Sequence, residues 1–383
     1  MKKVELDMIY LLSCGVNGNN PDADYIKKIE LEQLYQRSCE HSVEALIGMV
    51  LKQAGVSLQK EWNERIAKAV RKVLLFDAER AKLLSFMEQK GIWYLPLKGV
   101  ILKEYYPAIG MRQMSDNDIL FDYSFSKEIQ KYMEEQGYKA ISIGKGMQDI
   151  YKKEPVYNFE MHGGLYEPLY NRDWEVYYRE IKKKLILNSG ASYGYHFTDE
   201  DFYIYIISHA YKHYIRNGIG IRTLLDIYVY LKAKHQKLDY IYIEQECAIL
   251  GIVEFEYQNR KLCEKIFGLD FSNEIERLDE NLSVEDKEML DYYFSSGVHG
   301  SMERGVKNRV KRFMEQNVGV TMLYYFWKRL FPDVEVIKQN YPHVYKHKLL
   351  LPLVYVYRLW LGVFDKKRRN TIMKEVKIIN KIK

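Results

Sequence analysis

The spacing of hydrophobic residues changes at Gly91 of the 383-residue chain. Before this glycine, SVEALIGMVLKQAG and RIAKAVRKVLLFDAERAKLLSFMEQKG repeat apolar residues at the three- and four-residue spacing of amphipathic helices. After it come short β-branched and aromatic runs bounded by glycine or proline, which are typical of strands. Helical spacing returns near residue 199 and continues to the end. We therefore expect an α+β fold, with a small mixed sheet embedded in a mostly helical protein.

Three regions follow from this pattern: N-terminal helices over 1–90, an α/β core over 91–190 and C-terminal helices over 191–383. Within the core we interpret GIWYLPL, NDILFDYS, KAISIG and VYNFEMHG as strands, and GVILKEYYP and SKEIQKYMEEQGY as helices. The stretch SIGKGMQD has glycines beside a lysine but lacks the spacing of a phosphate-binding P-loop. It is interpreted as a turn between strands.

Composition excludes few classes of function. The net charge of +6 mildly favours anionic partners. The four cysteines form no CxxC pair and no zinc spacing, which predicts reduced thiols in a cytoplasmic protein. Charged residues interrupt the apolar stretches near both ends, so we expect neither a signal peptide nor a membrane span. The basic segment Lys366–Lys383 is interpreted as a solvated helix end, with a phosphate-binding patch as the alternative.

Two aspartates, Asp116 and Asp118, are separated by one residue at the start of the second predicted strand. In extended backbone they point to the same face, while Ile119 and Phe121 point into the core. Two carboxylates on one face repel each other unless a cation lies between them. Oxygen ligands select hard ions such as Mg²⁺. A D-x-D pattern is common by chance, and the alternative is a turn with two solvated acids.

A third acid lies on a later strand. In YNFEMHGG, alternation places Glu160 and His162 on one face and Phe159 and Met161 on the other. Glu160 is therefore a candidate to complete a set of three carboxylates, either as a ligand or as the group that takes a proton from the acceptor. This placement depends on register, because a slip of one residue turns Glu160 toward the core.

Phosphate-binding groups are expected between the first strand and the aspartates. Lys98 and Gly99 open the predicted helix after the first strand, where free N–H groups and a close backbone approach suit a phosphate. Arg112 precedes the aspartates and is a candidate to meet a triphosphate. Exposed lysine and arginine are common everywhere, so each of these residues has a structural alternative.

This layout resembles the DNA polymerase β-like nucleotidyltransferase superfamily: a strand, a glycine turn, a helix, D-x-D on the next strand and a third acid later. More narrowly, LPLKGVILKEYYPAIGMRQMSDNDILF resembles a family of bacterial nucleotidyltransferases whose substrates are mostly unassigned. FEMHGGL, ISHAYKHYIRNGIGIRTLLDI and the last helices are similar to later segments of that family, so the resemblance spans most of the chain. The wider superfamily usually has Gly-Gly or Gly-Ser where this chain has Lys98-Gly99.

The resemblance implies a Mg²⁺-dependent transfer of a nucleoside monophosphate from a nucleoside triphosphate, such as ATP, to a hydroxyl of an unidentified acceptor, with release of pyrophosphate. It implies two metal ions held by Asp116, Asp118 and Glu160, and phosphate contacts from Lys98, Gly99 and Arg112. A small molecule is the favoured acceptor, and RNA or protein are alternatives.

Other residues of the resembling segments have weaker claims. His162 and His209 are candidates to line the substrate cleft, and a buried, hydrogen-bonded histidine is the alternative for each. His209 and His213 have a spacing that can grip zinc, but no third ligand is evident. Arg222 and Asp226, one helical turn apart, are expected to form a structural ion pair. Two rival functions remain: a non-catalytic nucleotide-binding scaffold of a biosynthetic or defence operon, and a toxin-like transferase acting on RNA or protein.

Overall fold

The fold was derived from a computed structural model of the chain. It describes residues 1–144, 146–168, 171–268, 275–298, 300–315, 322–332, 336–337, 341, 344–345 and 347–382. The described chain forms two compact units. The first comprises Met1–Tyr211 and Gly220–Val298, and the second comprises Lys212–Ile219 and His299–Lys383. The division into three regions made from the sequence stays a prediction.

The first 90 residues are helical, as the spacing of their apolar residues predicts. The long helix α5 ends where Gly91 takes a left-handed conformation (φ 71°) that suits a residue without a Cβ. Gly15 of α1 lies against α4, since a Cβ there would come within 2.6 Å of Leu46. This glycine therefore permits the close packing of the two helices. These helices are α1 (Lys3–Asn17), α2 (Ala23–Lys27), α3 (Leu31–His41), α4 (Glu44–Gln53) and α5 (Lys60–Lys90).

A five-stranded mixed sheet follows, in the spatial order β1-β2-β5-β4-β3. The strand pair β2–β5 is parallel, and the other neighbours are antiparallel. The α+β prediction is confirmed, but the sequence analysis assigned no strand to β4. The elements of the sheet region are β1 (Tyr94–Pro96), α6 (Gly99–Leu102), β2 (Asn117–Phe121), α7 (Ser126–Glu135), β3 (Lys139–Ser142), β4 (Gln148–Lys153) and β5 (Tyr157–His162).

One face of the sheet packs on α5 and α7. Its buried core includes Ile119 and Phe121 from β2 and Phe159 and Met161 from β5. Strand alternation therefore predicted the core face of both strands correctly. The turn between β3 and β4 confirms the interpretation of SIGKGMQD, although Lys145 lies outside the described residues.

Helices resume after a short hairpin. The hydroxyl of Thr198 accepts a hydrogen bond from the backbone N–H of Asp201 (3.0 Å) at the start of α9. All four cysteines are free thiols. None of the described helices is long and apolar enough to cross a bilayer. The remaining elements of the first unit are α8 (Arg172–Tyr178), β6 (Ile186–Leu187), β7 (Tyr195–His196), α9 (Asp199–Tyr214, which ends in the second unit), α10 (Ile221–Lys234), α11 (Tyr240–Ile249), α12 (Val253–Phe267), α13 (Leu278–Asn281) and α14 (Val284–Ser296).

The second unit contains four further described helices. Apart from Lys383, which lies outside the described residues, the basic segment predicted to be a solvated helix end lies in the last of them. They are α15 (Met302–Glu315), α16 (Met322–Leu330), α17 (Leu351–Phe364) and α18 (Lys366–Ile382).

Candidate functional site

The parallel pairing of β2 with β5 puts two carboxylates side by side. Asp118 lies opposite Glu160, and Leu120 lies opposite His162. Because side chains alternate along a strand, Asp118, Glu160 and His162 share the face that points away from the α5–α7 core. One potential ligand atom from each residue lies within 4.8 Å of the other two. Within the described ranges, these three form the single cluster of His, Cys, Asp or Glu that could hold a metal ion.

Asp118 is buried and contacts two basic side chains of the site. Only 3% of its surface is exposed, and one carboxylate oxygen accepts a hydrogen bond from the Lys98 ammonium at 2.6 Å. Nε2 of His162 lies 2.8 Å from the same oxygen. Burial alone would raise the pKa of Asp118, but the charges and hydrogen bonds of Lys98 and His162 hold that pKa well below its usual range. Asp118 is therefore ionised at neutral pH.

Glu160 is half-buried at the centre of the sheet. The side-chain amide of Gln148, on β4, lies 3.4 Å from one of its carboxylate oxygens. Since β5 is hydrogen-bonded to a strand on each side, the backbone fixes the position of this carboxylate relative to Asp118.

Asp116 lies one residue before β2 and is half-buried. It is not one of the three residues in the cluster above. Burial and the charge of Asp118 raise the pKa of Asp116, although the Lys98 ammonium opposes the shift. The two aspartates of the D-x-D pattern therefore differ: neighbouring cations lower the pKa of Asp118, whereas burial and the Asp118 charge raise the pKa of Asp116.

Lys98 adopts a backbone conformation that L-residues rarely take. Its φ of 49° and ψ of −117° match the second residue of a type II′ turn, which is usually glycine. The turn closes with a hydrogen bond from the N–H of Val100 to the carbonyl of Leu97 (3.2 Å). A strained residue retained at a cluster of charges is typical of a functional position.

The residue after Lys98 packs tightly against an arginine. A Cβ at Gly99 would lie 2.3 Å from Nη1 of Arg112, so the arginine occupies the space that a side chain would need. Arg112 is 9% exposed and donates two hydrogen bonds to the carboxylate of Asp226, at 2.8 and 2.9 Å. The hydroxyl of Tyr106 donates to the same carboxylate (2.7 Å). A contact between Arg112 and a triphosphate stays a prediction.

The predicted ion pair between Arg222 and Asp226 is wrong. Asp226 is held by Arg112, from a distant part of the chain, and not by Arg222, one helical turn away. Arg222 instead lies 3.4 Å from the backbone carbonyl of Gln113. Burial and the neighbouring Arg112 charge lower the pKa of Arg222, while Asp226 and Asp116 favour its charged form. Two guanidinium groups therefore lie close together beside the aspartates.

Aromatic side chains of helix α9 lie near the cluster. Tyr205 is buried, and burial together with the charges of Asp118 and Glu160 raises its pKa well above the usual value. One turn later, the ring of His209 lies 6.1 Å from that of Tyr205. Another tyrosine, Tyr166, shares a hydrogen bond of 2.7 Å with Ser208 of the same helix. Sequence reasoning proposed His209 from resemblance but missed Tyr205, whose apolar helical context gave no signal.

The donor atoms suit a divalent cation. Carboxylate oxygens fit Mg²⁺ or Mn²⁺, and an imidazole nitrogen is accepted more readily by Mn²⁺ than by Mg²⁺. Asp118 and Glu160 provide the oxygens, and His162 can either bind the ion or orient Asp118 through its hydrogen bond. Lys98 already places one positive charge at this position.

Comparison with known protein families gives one result. Residues 27–268 match a family described as uncharacterised nucleotidyltransferase, and this span is well over half of the chain. The chain belongs to this nucleotidyltransferase family. The matched span contains the whole five-stranded sheet, the three-residue cluster and helices α9 and α10. No curated protein and no solved structure matches the chain significantly.

Proposed function

We propose that this protein transfers a nucleoside monophosphate from a nucleoside triphosphate to a hydroxyl group of an acceptor, with release of pyrophosphate and with the help of divalent cations. One observation carries the proposal: Asp118 and Glu160 lie side by side on parallel strands, with His162 beside them, in a member of a nucleotidyltransferase family. A layout like that of the polymerase β-like superfamily is part of the proposal.

The transfer balances as a single displacement. The acceptor oxygen forms a bond to the α-phosphorus, the bond between the α-phosphorus and the bridging oxygen breaks, and pyrophosphate leaves. The acceptor proton passes to Glu160 or to water. Divalent ions, when bound, neutralise the triphosphate and stabilise the attacking and leaving oxygens.

The chain's own residues have distinct roles in the proposal. Asp118 and Glu160 hold the cation, with Asp116 as a further carboxylate. Lys98 neutralises Asp118 in the absence of a ligand and provides positive charge for the phosphates when a nucleotide is present. Gly99 lets the backbone approach a phosphate, and Arg112 supports Gly99 from behind. His162 orients Asp118, and His209 lines the cleft beside Tyr205.

The test is a transfer assay with α-³²P-labelled nucleoside triphosphates, Mg²⁺ or Mn²⁺, and fractionated cell extract as the source of acceptors. Labelled product that depends on the metal and on intact Asp118 supports the proposal. The variant Asp118→Asn is expected to lose at least roughly 10²-fold in rate, because a ligand of the ion is lost. The matched control is Asp122→Asn, at the other end of β2, whose side chain only caps the following turn.

The outcomes separate the alternatives. Nucleotide binding by calorimetry without transfer in any fraction would point to the non-catalytic scaffold. Label appearing in RNA or protein would select the toxin-like transferase, and label in a small metabolite would support the favoured small-molecule acceptor. Equal transfer by Asp118→Asn and Asp122→Asn would remove the metal cluster from the mechanism.

A further inference from the structure

Helix α17 of the second unit carries an apolar stripe on its surface. Leu353 is 61% exposed, Trp360 is 54% exposed and Phe364 is 68% exposed. Val356, Tyr357 and Val363, each at least half exposed, fill the same stripe at spacings of three and four residues. Exposed apolar residues are normal when scattered, but a continuous stripe marks an interaction surface.

Helix α18, which follows after Asp365, is strongly basic. Residues 351–382 contain eight lysines and arginines against two acids, a net charge of +6. One of the two acids, Glu375, is 3% exposed and is paired with Arg309 and Arg329. Most of the positive charge on α18 is therefore not balanced by acids of the same helix. The chain's overall charge is also +6, so the remaining residues together carry no net charge.

A cavity of about 640 Å³ lies between α16, α17 and α18 and joins the two features. Its apolar lining includes Leu330 and Val363, and Val363 also belongs to the exposed stripe. Mutual repulsion among the arginines here contributes to lowering the pKa of Arg329, after the effect of its burial. The cations that line the cavity are Arg329, Arg358, Lys367 and Arg368.

We propose that α17 and α18 bind the surface of a membrane that contains anionic phospholipids. The apolar stripe enters the interface, and the cations of α18 and of the cavity contact phosphate groups. Charge favours a membrane over a second copy of the chain as the binding partner. A second copy would bring another segment of net charge +6 to the contact, whereas an anionic bilayer neutralises the positive charge of this segment. Helix α17 has 14 residues and is about 21 Å long, so it lies on the bilayer and does not span it.

The experiment measures flotation of the 383-residue chain with lipid vesicles. We expect binding to vesicles of phosphatidylcholine mixed with phosphatidylglycerol, little binding to phosphatidylcholine alone, and weaker binding at high salt. Neutralising Lys374 and Lys377 with glutamine is expected to weaken binding roughly fivefold per cation. Leu353→Ser combined with Trp360→Ser removes two apolar anchors and is expected to lower binding at least roughly tenfold.

The matched control is Ile241→Ser on α11 of the first unit. This isoleucine is 71% exposed, so the substitution has the same chemistry outside the stripe and is expected to leave flotation unchanged. Circular dichroism checks that each variant is folded. As a second measurement, quenching of wild-type tryptophan fluorescence by brominated lipid should fall in Trp360→Phe, which keeps an apolar ring in the stripe.

Three results would overturn the proposal. The first is equal flotation with neutral and anionic vesicles. The second is binding of inorganic phosphate without any binding of vesicles. The third is a wild-type dimer that does not bind vesicles and that dissociates when Leu353→Ser and Trp360→Ser are combined. The last result would assign the stripe to a second copy of the chain. The transfer assay is independent of flotation, so failure of either proposal is recognised separately.

Discussion

Replacing each aspartate of the D-x-D pattern by asparagine should affect the stability of the metal-free protein differently: Asp118→Asn should lower it, and Asp116→Asn should not. Asp118 is buried and neutralises the Lys98 ammonium, so Asp118→Asn removes the nearest counter-charge from a lysine side chain that is 20% exposed. Removing one partner of such a pair costs about 3–5 kcal/mol. For a domain of this size, the melting temperature is expected to fall by roughly 10 °C.

Asp116 behaves in the opposite way because its charge is unfavourable in the fold. Burial and the charge of Asp118 raise its pKa, so the ionised form costs stability at neutral pH. Asp116→Asn removes that cost and should leave the metal-free melting temperature unchanged or higher. If both carboxylates serve the ion, both variants nevertheless lose transfer activity.

The assay is thermal unfolding at pH 7, in chelator and then with added Mn²⁺. The pKa of Asp118 is lowered by folding, so its stabilising effect is complete above the unfolded pKa of about 3.9 and is lost as the pH falls below that value. At pH 7 the full effect is therefore present. Wild-type protein should gain about 2.7 kcal/mol when the metal concentration is a hundred times the dissociation constant, and Asp118→Asn should gain much less.

Equal shifts of the melting temperature for the two variants in chelator would refute this reasoning, because they would mean that Asp118 does not stabilise the charge of Lys98. A double variant provides the decisive control. Adding Lys98→Met to Asp118→Asn removes the unpaired cation and should recover a large part of the lost stability.

Three further predictions concern His41 and two residues of the site, Gly99 and Lys98. Burial, with a contribution from the Arg37 charge, lowers the pKa of His41 to about 3. Because the unfolded state therefore binds the proton first, the free energy of unfolding should fall by up to about 1.4 kcal/mol per pH unit below roughly pH 6.5. His41→Gln should flatten this slope in melting curves from about pH 7 to about pH 5. Gly99→Ala should cost about 1–3 kcal/mol and raise the KM for the nucleotide, because its Cβ displaces Arg112, whereas Gly362→Ala meets only an ordinary contact at 3.7 Å and should be neutral or stabilising. Lys98→Gly should be more stable than Lys98→Ala by roughly 1 kcal/mol in urea unfolding, since only the backbone strain distinguishes them, and equal midpoints would show that the turn is not strained.

Local patterns in the sequence were sufficient for much of the sheet. Alternation in β2 and β5 predicted that Asp118 and Glu160 share a face with His162. Successive side chains of a strand point to opposite faces, so the position in the strand is enough to assign the face. The helical period likewise located α4 and α5. The strand β4 was missed because QDIYKK has few apolar residues, and its pairing with β5 provides the stability that its own composition lacks.

Contacts between distant parts of the chain were less accessible. The pairing of Arg112 with Asp226 joins residues 114 positions apart, and a helical i, i+4 rule pointed instead to Arg222. Tyr205 approaches the carboxylates only because α9 packs beside the sheet, and no local pattern encodes that packing. The conformation of Lys98 was also hidden, since lysine is an improbable residue for a turn of this type.

Because β2 and β5 lie in the middle of the sheet, the sheet itself holds the two acids close together. Each of these strands has a hydrogen-bonded neighbour on both edges, so the spacing between Asp118 and Glu160 is set when the sheet forms. The free energy of folding therefore offsets the repulsion between the two carboxylates. An arriving cation finds its oxygens already assembled, and its full attraction is available for binding instead of being spent on rearranging the backbone.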